Sequence, residues 1–266
     1  MRAILAGLGA RHALARGGDG VVRASFPRAC YLSLGDALIA LVHPGVHPGP
    51  LYLVLDEPPP AAGPDTPVEV LPDTLVIEGR NVEVAGARAW TGPLPSPREM
   101  RRGIPVAVEA AARLAEGSAL AAHPFRHRAA RARELLRAGD LLGAARLLAG
   151  FGPGLTPAGD DALAGLLLAL RAAGGVVREP ALSGVAAIET STLGSAFVAW
   201  AARGQALAPA HDLLGAAASG DVAGAAAACH ALAGVGETSG ADFGLGLVWG
   251  LEAAADEPYG EASKSR

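Results

Sequence analysis

The pattern of hydrophobic and polar positions divides the chain into two parts. Up to about residue 95, short runs rich in β-branched residues alternate with clusters of proline and glycine, a pattern typical of strands and turns. Four such runs are predicted strands, at 21–26, 51–57, 74–79 and 81–86. We therefore predict a small β-rich domain over residues 1–95, either a barrel or a sandwich, with a tight hairpin connection at residues 79–81.

From residue 98 onward the apolar residues follow a helical spacing, in segments rich in alanine, leucine and arginine. The predicted helices cover 98–117, 126–138, 140–149, 160–174, 181–203, 210–218, 221–233 and 240–255. The prolines within residues 91–97 resist both helix and strand and mark the join. The chain is therefore predicted to be α+β, with an all-helical domain at 98–256 and a flexible polar tail at 257–266.

Composition and charge indicate which kinds of protein and partner the chain does not fit. Hydrophobic residues make up 51% of the chain and charged residues 18%, which indicates a folded globular protein. A net charge of −4 and dispersed arginines argue against nucleic acid as a partner. The longest apolar run, at 162–170, is far shorter than the roughly 20 residues that span a bilayer. The N-terminal apolar run is broken by Arg11 and His12 and does not read as a signal peptide, so we expect a cytoplasmic protein.

The clearest candidate for chemistry is the segment 150–161, GFGPGLTPAGDD. Its closely spaced glycines followed by Thr-Pro predict a loop that leads into a helix, with the threonine as N-cap. Unpaired N–H groups at such a helix start favour an anion. Gly152, Gly154, Thr156 and Gly159 are therefore candidate substrate-binding residues. The segment is neither the phosphate loop, because no lysine follows, nor the dinucleotide fingerprint, because no strand precedes it.

Two adjacent carboxylates, Asp160 and Asp161, follow this loop. One of them could simply cap the helix, but a cap needs only one carboxylate. Two carboxylates beside an anion site need a divalent cation, an arginine, or a ligand that carries hydrogen-bond donors. Both aspartates are therefore candidate catalytic residues, with helix capping as the structural alternative.

A second segment repeats this order at 234–254, with Gly-x-Gly, then Thr238, then Asp242, then an apolar helix. Upstream residues match as well, at separations of 81 to 84 positions, which predicts a duplicated helix–loop–helix with two half-sites facing each other. Thr238 and Ser239 are candidate substrate-binding residues and Asp242 a candidate catalytic residue. Ser239 and Asp242 also fit a capping box, which is the structural alternative for this loop.

Two further hydroxyl residues, Thr190 and Ser191, lie between the two copies. Their hydroxyls suit an oxyanion or an amide ligand, and we add both to the substrate-binding candidates. The alternative is that they bond to their own backbone, as serine and threonine in alanine-rich helices often do.

With GFGPGLTPAGDD at 150–161 and TSGAD at 238–242 both in place, the chain resembles a bacterial family associated with AllH, a subunit of the oxamate carbamoyltransferase of anaerobic allantoin breakdown. The resemblance implies a β-rich N-terminal part and a helical C-terminal part. It implies a small anionic substrate and carbamoyl transfer between oxalurate and phosphate, giving oxamate and carbamoyl phosphate. It also implies two partner subunits, resembling FdrA and AllG.

Two other classes of function stay open at this point. The chain could be a non-catalytic subunit that orders a partner's active site, with its loops facing the interface. It could instead be a stand-alone phosphoryl-transfer enzyme in which Asp160, Asp161 and Asp242 converge on one Mg²⁺ ion. The sequence specifies no cofactor, and Mg²⁺ is the candidate metal only under this last alternative.

Overall fold

A computed structural model of the chain describes residues 1–174 and 179–256. The fold divides at residue 92 into two compact units, Met1–Gly92 and the helical remainder from Pro93 onward. The first unit is built mainly of strands and the second of helices, which confirms the predicted α+β class. The tail predicted at 257–266 lies outside the described residues.

The first unit contains one nine-stranded sheet and one helix. The strands are β1 (Ala3–Gly7), β2 (Gly20–Phe26), β3 (Ala29–Leu34), β4 (Ala37–Val42), β5 (Tyr52–Leu55), β6 (Pro67–Val70), β7 (Thr74–Ile77), β8 (Arg80–Glu83) and β9 (Arg88–Trp90), and helix α1 (Leu8–Arg16) follows β1. Their order in the sheet is β8-β7-β6-β2-β3-β4-β5-β1-β9. Arg2, just before β1, bridges to Glu83 at the end of β8, so the sheet curls back on itself. Of the two alternatives, the unit is closer to a barrel than to a sandwich.

The predicted hairpin between β7 and β8 is present, with a different turn from the one expected. Ile77 pairs with Arg80, so the two turn residues are Glu78 and Gly79. Both have positive φ, 49° and 73°, as a two-residue turn between twisted strands requires. The prediction at residues 79–81 therefore placed this turn one residue too late.

The second unit consists of nine helices among its described residues. They are α2 (Pro97–Ala115), α3 (Arg126–Arg137), α4 (Leu141–Leu148), α5 (Ala158–Ala173), α6 (Glu179–Ala186), α7 (Thr192–Ala202), α8 (Ala208–Ser219), α9 (Val222–Ala233) and α10 (Ser239–Asp256), with a short 3-10 turn at Ala119–Ala121. The single helix predicted over 181–203 is wrong. A new helix begins there because the Ser191 hydroxyl accepts a hydrogen bond from the Gly194 N–H, at 3.0 Å, and so caps α7.

The centre of this unit is the pair α5 and α10, which pack against each other along their length. Helix α5 is buried on almost every side, which explains why its sequence is apolar all round. Two glycines allow the close approach: a Cβ at Gly165 would collide with the Phe243 carbonyl oxygen, and one at Gly246 with that of Ala162. Gly250 of α10 contacts Ala169 of α5 in the same way. From Gly165–Phe243 to Ala169–Gly250 the contacts advance toward the C-terminus on both helices, so α5 and α10 run parallel and their N-termini lie at the same end.

The predicted duplication is visible in the fold as two copies of a helix–helix–loop–helix unit, α3-α4-α5 and α8-α9-α10. Asp140 caps α4 and Asp221 caps α9, each accepting from the backbone N–H three residues on, at 2.8 Å. The first residues of α5 and α10, Ala158 and Ser239, are 81 positions apart, as are the two caps.

This register pairs Asp242 with Asp161, whereas aligning Thr238 with Thr156 in the sequence pairs Asp242 with Asp160. In the second copy α9 is longer than α4 and the following loop shorter than its counterpart, so the sequence comparison ran one position out of step.

Candidate functional site

The two glycine loops meet at the common N-terminal end of α5 and α10. We call residues 150–157 the first loop and residues 234–238 the second loop. The Thr156 hydroxyl donates to Asp161 Oδ2 at 3.0 Å, and its oxygen lies 3.3 Å from that of Ser239, the first residue after the second loop. Either of these two hydroxyls can be the donor in their mutual contact. The structure thus joins three of the predicted residues in one chain of hydrogen bonds.

The start of α5 differs from the prediction. The N-cap position is Pro157, without a side-chain capping bond, so Thr156 does not cap the helix. The first N–H groups of the helix are satisfied within the chain: Ala158 donates to Pro153, Gly159 to Phe151, and Asp160 and Asp161 to Pro157. The expectation that an anion binds the N–H groups of this helix start, Gly159 included, is therefore not supported by the geometry.

The first loop itself offers free donors. Within the described part of the chain, the backbone N–H groups of Gly152, Gly154 and Thr156 donate to no acceptor. Gly152 and Gly154 have φ of 102° and 107°, a conformation that residues with a side chain rarely adopt. The glycines therefore shape a loop whose N–H groups, rather than those of the helix, are available to a ligand.

Asp160 is engaged on both oxygens and does not cap its own helix. It is 1% exposed, and it accepts from the Gly150 N–H at 2.8 Å and from the Thr190 hydroxyl at 2.5 Å. Burial raises the pKa of Asp160, and hydrogen bonds from Thr190, Gly150 and Ser191 oppose that shift. These contacts tie the first loop to the segment before α7, which is a structural role for Asp160 and Thr190.

Asp161 is the aspartate that stays partly exposed. Burial of its carboxyl raises the pKa of Asp161 to about 8. The hydroxyls of Ser239 and Thr156 oppose this rise, whereas the charges of Asp242 and Asp160 add to it. A carboxyl group with a pKa near neutrality can both hold and release a proton at physiological pH.

Asp242 is fully buried, and its two carboxyl oxygens differ in their hydrogen bonds. Oδ1 accepts from the Ser118 hydroxyl at 2.5 Å and from the Leu120 N–H at 3.4 Å. Oδ2 is buried and has no hydrogen-bond partner among the described residues. Burial raises the pKa of Asp242, while the hydroxyls of Ser118 and of the nearby Thr238 lower it. The Thr238 hydroxyl lies near the carboxyl group without the geometry of a hydrogen bond. A buried acceptor without a donor is costly, so this oxygen marks an incomplete site.

Ser118 is a site residue that the sequence did not indicate. It is 4% exposed and stands 124 residues before Asp242. Its hydroxyl also accepts from the Leu120 N–H at 3.1 Å, which starts the 3-10 turn. A serine that starts such a turn looks like any other capping residue in sequence, so no signal set it apart.

The predicted residues thus form two groups. Thr156, Asp161 and Ser239 are in direct contact, and the charge of Asp242 acts on Asp161. Asp160, Thr190 and Ser191 form a neighbouring group that holds the first loop. Within the described ranges, no three His, Cys, Asp or Glu side chains are grouped so as to hold a metal ion. The three aspartates therefore do not converge on one cation in this structure.

A cavity of about 600 Å³ lies elsewhere in the helical unit, toward the other ends of α5 and α10. It is lined by Leu170, Trp249 and an ion pair in which Arg133 contacts Glu252 at 2.6 Å. None of the predicted substrate-binding or catalytic residues lines this cavity, so it is separate from the candidate site.

One family model matches the segment that contains both loops. Residues 148–251 are similar to a subunit of a carbamoyltransferase. The matching family model is AllH, described as oxamate carbamoyltransferase subunit AllH, and the match confirms the resemblance found in the sequence. The matched segment contains both loops with α5 and most of α10. Curated proteins and solved structures give no significant match. None of the described helices has the length and apolar character needed to cross a membrane.

Proposed function

We propose that the chain is a subunit of an oxamate carbamoyltransferase-like enzyme, acting in allantoin breakdown. The enzyme would transfer a carbamoyl group between oxalurate and phosphate, giving oxamate and carbamoyl phosphate. The observation that carries this proposal is the contact of Thr156 with both Asp161 and Ser239, because it unites the two loops of the segment that matches AllH.

The chemistry of the two loops suits these substrates. Oxalurate, oxamate and carbamoyl phosphate each carry anionic oxygens close to an NH₂ group. The first loop offers the unengaged N–H groups of Gly152, Gly154 and Thr156 to the oxygens, and Asp161 with the hydroxyls around it can receive the N–H donors. The parallel N-termini of α5 and α10 add positive partial charge at the same end.

Asp161 has the protonation behaviour that the transfer needs. A phosphate oxygen attacks the ureido carbonyl carbon of oxalurate, a C–O bond forms, and the C–N bond to the oxamate nitrogen breaks. That nitrogen must gain one proton and the attacking phosphate must lose one. With a pKa of about 8, Asp161 can donate the first proton and accept the second. Thr238 and Ser239 would line the opposing side of the site.

Partner subunits would complete the site. Leu155, next to the free N–H groups, is 53% exposed, and no Lys, Arg or His among the described residues forms an ion pair with Asp160, Asp161 or Asp242. An open loop must be covered before electrostatic stabilisation of a transition state becomes strong. We propose that proteins resembling FdrA and AllG provide this cover and the missing positive charge.

The test is carbamoyl phosphate formation from oxalurate and phosphate with every combination of this chain and its two partners. We expect turnover only when all three are present. Strong turnover by this chain alone would refute the subunit proposal. The alternative of a non-catalytic subunit predicts that Asp161→Asn leaves the turnover of the full complex unchanged, whereas the proposed role predicts its loss with assembly intact.

A further inference from the structure

The repeat brings two equivalent carboxyl groups to one place. Asp161 and Asp242 each lie in the first turn of a helix, and α5 and α10 run parallel with their N-termini together. The charge of Asp242 acts on Asp161. The site therefore has a pair of acceptor groups at equivalent positions, one from each half of the duplication.

Among the described residues, no cation forms an ion pair with Asp161 or Asp242, and the pair receives fewer hydrogen bonds than its oxygens can accept. Asp161 receives hydroxyl donors, and Asp242 receives Ser118 and a backbone N–H on one oxygen only. The other oxygen of Asp242 is buried without a donor among the described residues. An anionic oxygen held against both carboxyl groups would find no paired cation among the described residues and would repel whichever group is ionised. A neutral group that donates two hydrogen bonds would instead satisfy the acceptors that the fold leaves open.

We propose, resting on the proposed function, that Asp161 and Asp242 together receive the NH₂ end of a carbamoyl-bearing substrate. The anionic end of the substrate then points away from the pair, toward the free N–H groups of the first loop. An NH₂ group carries two donors, which matches two carboxyl groups. Asp160 takes no part in this contact, because both of its oxygens are already engaged.

Oxamate and oxalate test this orientation, since they have the same size and oxamate carries a neutral NH₂ group where oxalate carries an anionic oxygen. Isothermal titration calorimetry of the full chain should show oxamate binding about tenfold or more tightly than oxalate. Asp161→Asn should reduce that preference several-fold, because the amide replaces one acceptor oxygen with an NH₂ group, which repels an N–H donor of the ligand. Asp140→Asn is the matched control, since Asp140 caps α4 outside the site, and it should leave the preference unchanged.

Equal or tighter binding of oxalate by the unmodified chain, or no measurable binding of oxamate, would overturn the orientation. A preference that survives Asp161→Asn in a folded variant, checked by circular dichroism, would overturn it as well. These outcomes are separate from the turnover assay. A complex that makes carbamoyl phosphate although this chain prefers oxalate would refute the orientation and leave the proposed function standing.

Discussion

The hydroxyl oxygens of Thr156 and Ser239 lie 3.3 Å apart, although 83 residues separate them in the chain. Each belongs to a different copy of the duplicated unit, at the N-terminal end of α5 or α10. The contact depends on the close parallel packing of these helices, which Gly165 and Gly246 allow. The geometry of the candidate site is therefore set by a helix crossing well away from the loops themselves.

Replacing a glycine at this crossing should destabilise the helical unit. The methyl group of Gly165→Ala would collide with the Phe243 backbone, and that of Gly246→Ala with the Ala162 backbone. We expect each to lower the free energy of unfolding by about 1–3 kcal/mol, measured by urea denaturation. Gly215→Ala is the control: nothing lies within 4 Å of its added methyl group, so it should stabilise α8 by about 0.5–1 kcal/mol. A Gly165→Ala variant as stable as the unmodified chain would argue against the packing described.

The two adjacent aspartates should respond differently to the same substitution. Asp160→Asn removes an acceptor from the Gly150 N–H or from Thr190, and we expect a loss of about 1–3 kcal/mol of stability. Asp161→Asn should cost little stability but lower the turnover of the reconstituted complex about 100-fold, the effect of losing a proton-transfer group. Thermal unfolding and the carbamoyl phosphate assay measure the two effects. The reverse assignment would show that Asp160 is the aspartate that faces the ligand.

The stability of the chain should fall as pH rises from about 4 to about 8. The pKa of Asp161 is about 8 in the folded chain against an ordinary 3.8, so in this range the folded state binds more protons than the unfolded state. Unfolding free energy then decreases with pH. Burial raises the pKa values of Asp160 and Asp242 as well and adds to the same slope.

Asp161→Asn should remove part of this slope, because the variant no longer has a proton to lose at that position. Thermal unfolding of both proteins across this pH range is the measurement. The melting temperature of the variant should fall less between about pH 5 and about pH 8 than that of the unmodified chain. Parallel curves would mean that the pKa of Asp161 is not raised.

The sequence predicted features that depend on local residue order. Glycine and proline mark the loops, alanine and leucine spacing marks most helices, and the recurrence of Thr-containing glycine loops indicates the duplication. Strands β1, β3, β4, β6 and β9 and helix α1 were not predicted. Their short apolar runs carry no period long enough to separate strand from helix.

Features that depend on distant contacts could not be predicted. Thr156-Pro157 reads as a cap followed by a first helical residue, but the Thr156 hydroxyl bonds Asp161 and Pro157 takes the cap position. The pairing of Asp242 with Asp161 needed the helix register. Ser118 reaches Asp242 only through the packing of α2 against α10.

Ser118→Ala should weaken the candidate site through Asp242. The substitution removes the hydrogen bond from the Ser118 hydroxyl to the Asp242 carboxyl group, and we expect a loss of about 1–3 kcal/mol of stability. Because the Ser118 hydrogen bond lowers the pKa of Asp242, it favours the ionised form. Its removal should therefore cost more stability near pH 8 than near pH 5, whereas loss of a packing contact alone would cost the same at both. Ser219→Ala is the control, since its hydroxyl is exposed and bonds to the Ala216 carbonyl of its own helix. Urea denaturation of both variants at the two pH values decides the matter, and a pH-independent loss for Ser118→Ala would show that the serine does not act on the charge of Asp242.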